Sequence, residues 1–446
     1  MPASFPAGFL FGTATSSYQI EGAASEAGRG LSIWDTFSHT PGKVYRGDTG
    51  DIACDHYHRL DADLDLLSWL GCKTYRFSVA WPRVMPTGQG PVNAAGLDFY
   101  KRVLDGLHQR GIIPMVTLYH WDLPQALQDQ GGWVSRDIAK RFADYATVLA
   151  AELGDRVPLW ETLNEPWVSA FVGHLHGRHA PGLTDLTASL RAAHHLMLSH
   201  GLACQALRAG RGNGQVGLSL NLSDVLPASD DPADVAAAER IDGHANRWFL
   251  DPLLRGEYPA DMIAWYAGRS DFSVDGDGDL AQIHQRLDFF GLNFYECQRV
   301  AADSGEPIHA AKRLPPPNPV THAGLAIEPA ALTRVLRRVH HGYGPLPMYV
   351  TENGACFNDY ADPEGHVNDY ERADYLDGYF EAAAEAIRQG VDLRGYYVWS
   401  LLDNFEWSYG YGRRFGLVYV DYRTQDRIPK YSAHWYRELI SAHTQR

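Results

Sequence analysis

The sequence predicts an α/β fold: a single (β/α)8 barrel with long βα loops at its C-terminal mouth. Three observations carry this. Strand-like and helix-like stretches alternate along the chain, which implies a parallel sheet. Eight such units can be read, the number a closed barrel needs. Most of the strands finish on a polar or aromatic residue: His120, Glu165, Asn293, Tyr295, Glu352 and Trp399. In a barrel these ends converge on one mouth. In an open doubly wound sheet, the competing arrangement, they would be strung along an edge.

The units follow in order. Residues 9–15 read as the first strand. Tyr57, Leu60, Leu64 and Leu67 then recur at helical spacing, and Gly71 closes that helix. Residues 74–81 form the second strand, halted by Pro82. Leu97, Tyr100, Val103, Leu104 and Leu107 mark the next helix. The third strand is 113–120, with its proline near the start, where one is tolerated. Ile138, Phe142, Tyr145 and Leu149 share a helical face. The fourth strand, 158–163, delivers Glu165 to its C-terminal end, and Pro166 stops the ladder there. The runs 215–221, 289–295, 348–354 and 395–400 are strands five to eight. Helices lie between them, for example 375–387, and a last one covers 431–440. No linker or repeat divides the chain, so 1–446 is expected to be one catalytic domain. The Pro-rich run 314–319 reads as a long loop at the mouth.

Composition narrows the class of partner. Apolar residues make up 45% of the chain, enough for a large core. Acidic residues outnumber basic ones, 54 to 39, which argues against nucleic acid or an anionic membrane as partner. No apolar run approaches membrane-spanning length, and the N-terminus lacks a secretory pattern. The five cysteines are odd in number and form no C-x-x-C pair. They read as free thiols in a reducing compartment, so a cytoplasmic location is expected. A homo-oligomer is left open.

The chemistry is expected at two glutamates. Cleaving an acetal needs a proton on the leaving oxygen and negative charge near the anomeric carbon. Two carboxyls supply both if their surroundings separate their pKa values. Glu165 has the neutral amide of Asn164 beside it and no adjacent cation. Glu352 can be served by Arg76 from the second strand and Tyr295 from the sixth, and a nearby guanidinium keeps a carboxylate ionised. This ordering makes Glu165 the acid/base and Glu352 the nucleophile. Trp399 and Trp407 offer flat faces for a pyranose. Gln19, His120, Asn164 and Glu406 offer donors and acceptors for hydroxyls. Taken singly, each has a plainer reading: a tryptophan in a strand is more often core, and a lone histidine more often a bonded core residue.

Other signals carry less. Asp275-Gly276-Asp277-Gly278-Asp279 begins like a calcium loop but has Leu280 where the loop glycine belongs and Arg286 where the closing glutamate belongs. Asp279 reads as a helix N-cap. His194, His195, His174, His176 and His179 have no acidic or cysteine partner at ligand spacing in sequence. No metal and no cofactor are expected, and Cys356 is expected to be buried or inert.

The chain resembles glycoside hydrolase family 1, the β-glucosidase family. Residues 9–22 (FLFGTATSSYQIEG) resemble its N-terminal signature. Tyr75-Arg76-Phe77-Ser78, His120-Trp121, Asn164-Glu165-Pro166, Asn293-Phe294-Tyr295, Thr351-Glu352-Asn353-Gly354 and Asn404-Phe405-Glu406-Trp407 match its other motifs in order. The resemblance implies retaining exo-hydrolysis of β-glucosides or cello-oligosaccharides, with Glu165 as acid/base and Glu352 as nucleophile about 5–5.5 Å apart. It implies sugar contacts at Gln19, His120, Trp121, Asn164, Asn293, Tyr295, Trp399, Glu406, Trp407 and Phe415, with Arg76 and Tyr295 supporting the nucleophile and Trp167 on the leaving-group side. Glu406 stands where phospho-glycosidases carry serine, so unphosphorylated sugars are expected: glucose, and galactose or fucose as alternatives. The sequence departs from the usual pattern at Phe11 and at His174-Leu175-His176, a loop on the leaving-group side. The competing readings are a carbohydrate-binding barrel without turnover, and a family member acting mainly on another sugar or as a transglycosylase.

Overall fold

The structure, a computed structural model, describes residues 4–274 and 278–444. Eight parallel strands close into a barrel: β1 (Leu10–Ala14), β2 (Thr74–Ser78), β3 (Ile113–Tyr119), β4 (Leu159–Asn164), β5 (Gln215–Asn221), β6 (Phe290–Asn293), β7 (Met348–Asn353) and β8 (Leu393–Trp399). Closure is made by β1, which pairs with β2 on one side and β8 on the other, placing Ala14 opposite Trp399. Strands β2, β4 and β7 are buried along their whole length. That is the condition of a parallel sheet covered by helices outside and filled by side chains within.

The helices pack their apolar stripes on the outer face. His56–Leu70 buries Leu60, Leu64, Leu67 and Leu70, and Gly71 ends it in the left-handed conformation that favours glycine. Ala94–Gln109 buries Leu97, Tyr100, Val103, Leu104 and Leu107, and Ile138–Leu153 buries Phe142, Tyr145 and Leu149. Tyr370–Arg388 packs on β8, and Tyr431–Thr444 packs against that helix and donates from the Tyr436 hydroxyl to the Gly12 carbonyl of β1 at 2.9 Å.

Some elements differ from the sequence expectation. The second strand stops at Ser78, and Trp81–Val84 is a short helix with Pro82 in its first turn, where a missing N–H costs no bond. Strand β6 ends at Asn293, so Tyr295 lies beyond it. Asp279 is the first helical residue of Asp279–Ile283 rather than its cap, and Gly278 takes the cap position. The Asp279 carboxylate instead meets Arg136 at 2.5 Å and His194 Nε2 at 3.0 Å, so His194 has the acidic partner that its sequence neighbourhood lacks. Residues 275–277 of the calcium-like run lie outside the described residues.

Two small sheets decorate the loops. Asp224–Pro227, Cys297–Ala302 and Ala311–Arg313 form one, built from the segments after β5 and β6. Val418–Asp421 and Asp426–Pro429 form a hairpin after β8. The Pro-rich run 314–319 follows the first sheet without regular structure, and Arg313 and Ala323 on either side of it border the barrel mouth. Among the described residues no helix is long and apolar enough to cross a membrane.

Candidate active site

The C-terminal ends of the strands surround a cavity of about 700 Å³. Glu165 and Glu352 both open into it, with His120, Trp121, Asn293, Tyr295, Trp399, Glu406, Trp407 and Phe415. Trp167 lines it as well. Gln19, Asn164 and Arg76, also singled out in the sequence, stand behind this lining and are fully or almost fully buried.

Pairing places the carboxyls. Register sets Glu352 beside Asn293 across β7 and β6, and Asn164 beside Ser219 across β4 and β5. Glu165 then leaves the barrel with its N–H on the Ser219 carbonyl at 2.9 Å. Its φ is +44°, and Trp121 and Trp407 also have positive φ, +77° and +51°. Non-glycine residues in this region are held there by their surroundings, and such residues cluster at functional sites.

Arg76 organises the floor. Its Nη1 donates to Glu352 Oε1 at 2.6 Å, its Nη2 to Asn164 Oδ1 at 2.6 Å and its Nε to Glu161 Oε2 at 2.5 Å. The other Glu352 oxygen accepts from Tyr295 Oη at 2.8 Å. Glu161 was not foreseen. It lies inside the barrel, with Thr117 donating to it at 2.7 Å and Ser219 also donating. The signal for it is a charged residue in mid-strand, flanked by Trp160 and Thr162, in the run read as the fourth strand.

The amides relay this order to the cavity wall. Asn293 Nδ2 donates to Glu165 Oε1 at 2.7 Å and to Asn164 Oδ1 at 2.9 Å. With its oxygen so occupied, Asn164 turns its NH2 toward His120 Nε2 at 3.1 Å. That nitrogen must accept, so the ring proton sits on Nδ1, which has no protein partner. Burial, then the charge of Arg76, holds His120 well below its ordinary pKa, so it offers this donor as a neutral ring.

Burial and the neighbouring Glu352 push Glu165 up to about 8, against the opposing bonds of Asn293 and charge of Arg76. Burial also raises Glu352, but Arg76 and the Tyr295 hydroxyl oppose it directly. Among the described residues the one cation bonded to either carboxyl is on Glu352, and its charge favours the ionised form there. Tyr295 itself is held well above its usual range by burial and by the Glu352 charge, and stays a donor.

The opposite wall is aromatic. Trp399 stacks on His120 with centroids 5.8 Å apart, and Trp407 stacks on Tyr18 at 6.1 Å. Trp121 packs on Trp407 at 4.6 Å and donates from Nε1 to the Asn164 carbonyl at 3.0 Å. Gln19 donates from Nε2 to Asn404 Oδ1 at 3.0 Å, the Phe405 carbonyl at 2.9 Å and Glu406 Oε2 at 3.4 Å. It therefore braces the Glu406 loop from behind. The same loop is anchored by Asp403, which takes Lys430 Nζ at 2.6 Å, Arg414 Nη1 at 2.6 Å and the Gly416 N–H at 2.9 Å.

Among the described residues, those lining the cavity bring no three metal-ligand atoms together. Elsewhere among the described residues Asp224, Cys297 and Glu328 bring ligand atoms within 4.8 Å of one another, but Arg334 pairs with both carboxylates, at 2.6 and 2.5 Å. All five cysteines are unpaired and buried. Burial pushes the Cys356 thiol up to about 11, so it is no nucleophile at neutral pH.

A parallel barrel with two carboxyls of unequal surroundings, ringed by indoles and amides, defines a glycoside hydrolase. The chain belongs to Glycosyl hydrolase family 1, whose sequence profile matches residues 1–445. It is 52% identical to thermostable beta-glucosidase B of Thermobispora bispora over 98% of this chain and 90% of that protein. It is 48% identical to the bifunctional beta-D-glucosidase/beta-D-fucosidase of Bifidobacterium breve over 99% of both. Its structure superposes with a TM-score of 0.96 on the family 1 β-glucosidase of Thermotoga maritima in complex with isofagomine lactam, at 46% identity over 99% of this chain and 100% of that one.

Proposed function

We propose that Glu352 is the nucleophile and Glu165 the acid/base of this retaining β-glucosidase. One observation carries the assignment: Arg76 and Tyr295 bond the two oxygens of Glu352, while Glu165 faces the same cavity with, among the described residues, only the Asn293 amide bonded to its carboxyl. Glu352 attacks the anomeric carbon, and the protonated Glu165 gives its proton to the leaving oxygen. The glycosyl–Glu352 ester that forms is then hydrolysed by water, which loses a proton to Glu165. The Nδ1–H of His120, the Glu406 carboxyl and the indoles of Trp399 and Trp407 hold the terminal sugar, with Asn164 and Gln19 fixing them from behind.

The substrate is a terminal, unphosphorylated β-D-glucosyl residue on an aryl group or a short cello-oligosaccharide, which would give the enzyme a part in cellulose breakdown. The bifunctional relative supports β-fucosyl substrates as well, and β-galactosyl substrates stay among the candidates. The barrel closes only when β1 meets β8, so residues 1–446 are proposed to act as one catalytic domain. The five unpaired cysteines support a reducing, cytoplasmic location. A homo-oligomer is compatible with this reading. Following a chromogenic β-glucoside by NMR tests the function. The first-formed sugar should be the β-anomer; a first-formed α-anomer, or no hydrolysis, would refute it.

A further inference from the structure

The cavity is electrically lopsided. Its inner end carries three carboxyls, Glu165, Glu352 and Glu406. Among the described residues its outer lining carries three guanidiniums, Arg178, Arg313 and Arg413, against one carboxylate, Glu296. This is a basic lip on a chain whose formal charge is −15. Glu296 is taken up by Arg313 at 2.6 Å. Arg413 donates to the His322 carbonyl and lies over the Tyr409 ring, 5.1 Å from its centroid. Arg178 is exposed, and no side chain among the described residues engages its guanidinium.

The Arg178 backbone is nevertheless fixed. Its N–H bonds the Val172 carbonyl at 3.2 Å, and its own carbonyl accepts from Ser408 across the cavity mouth. This strap follows His174-Leu175-His176, the run the sequence marked as unusual. It stands on the acid/base side, because it continues the segment that begins at Glu165 and Trp167. Trp167 is clamped there by its indole N–H on His244 Nε2, at 3.2 Å, and presents an aromatic wall. The leaving group must pass this wall, since Glu165 protonates its oxygen.

We infer that the outer cleft selects aglycones that carry a carboxylate on an aromatic ring. This names the leaving group for the β-glucosidase read above and rests on that reading. Trp167 takes the ring face, and Arg178 takes the carboxylate through its planar fork. Arg413 adds a second positive charge to the same lip. Cationic rims of this kind also raise the encounter rate with anions, an effect that salt removes.

The test compares three substrates: plain 4-nitrophenyl β-glucoside, a nitrophenyl β-glucoside bearing a ring carboxylate, and the methyl ester of the latter. The quantity read is the ratio of kcat/KM for acid over ester, taken within each enzyme form so that differences in folded protein cancel. The inference predicts a ratio of about five at low salt, the worth of one exposed ion pair. It should shrink toward one in 0.5 M salt, about a 4–5 Å screening length. Arg178→Gln should lower the ratio, and Arg178→Glu should take it below one. A wild-type ratio of one, or a ratio indifferent to both variants, overturns the inference while turnover of the plain glucoside leaves the β-glucosidase reading standing. No turnover of any of the three overturns both.

Discussion

Arg76 Nη1 donates to Glu352 Oε1 at 2.6 Å, with Arg76 sealed from solvent and Glu352 exposed only toward the cavity. The same guanidinium reaches Glu161 at 2.5 Å. One cation therefore offsets two buried carboxylates and, through Asn164, sets the amide that meets His120.

Arg76→Ala should cost about 3–5 kcal/mol of stability, because it strands buried charge. Arg76→Lys keeps a charge but loses the three-way fork. In that variant the raised Glu352 should move the acid limb of kcat/KM to higher pH. Urea midpoints and pH–rate profiles of the two variants check this. Unchanged midpoints in Arg76→Ala would mean that Glu161 and Glu352 are not held by it.

Glu165 must carry its proton to act as an acid, and it is pushed up to about 8. The rate of glycosylation should therefore fall as pH rises through about 8. Glu165→Gln should remove this basic limb. It should slow poor leaving groups by about 10²–10⁴, the usual share of general acid catalysis, and activated aryl glycosides much less. Equal losses on both kinds of substrate would count against the acid role.

Glu406 is also pushed up to about 8, by burial and by Glu352. In the unfolded chain a glutamate loses its proton near 4.3. Between these values the folded state binds the extra proton, so this group's contribution to stability falls as pH rises. Glu406→Gln lacks that fall. Urea midpoints at pH 5 and 8.5 should show the variant losing less stability than the parent. A larger loss in the variant would reverse the sign argued here.

Gly354 follows β7, the strand that carries Glu352, where there is no room for a side chain. A Cβ there would lie 1.8 Å from the Trp399 carbonyl oxygen. Gly354→Ala should destabilise by about 1–3 kcal/mol and lower activity, because it parts Glu352 from the Trp399 wall. Gly342→Ala, where a Cβ meets nothing within 4 Å, is the control. Thermal unfolding and kcat of the pair measure the difference.

Much of this was legible in the chain. Runs such as Thr74-Tyr75-Arg76-Phe77-Ser78 read as strands because both faces are buried, and Pro166 marked where Glu165 leaves the sheet. The arrival of the Arg76 guanidinium at Glu352 followed from which strands could bring a cation to the mouth. What was missed depends on partners distant in sequence. Glu161 meets Arg76 only once β2 and β4 share a barrel interior. Asp279 read as a helix cap because Arg136 and His194, its real partners, come from elsewhere in the chain. Gln19 reads as a sugar contact; that it also braces Asn404 and Phe405 is visible only when β1 and β8 close the barrel. The sheet of Asp224–Pro227, Cys297–Ala302 and Ala311–Arg313 is too short in each strand to show a period against its loops.

The division of labour between the two carboxyls is tested most directly by trapping the enzyme with an activated 2-deoxy-2-fluoro-β-glucoside and mapping the labelled peptide by mass spectrometry. The account predicts one fluoroglucosyl group per chain, esterified to Glu352. A label on Glu165, Glu161 or Glu406 would contradict it.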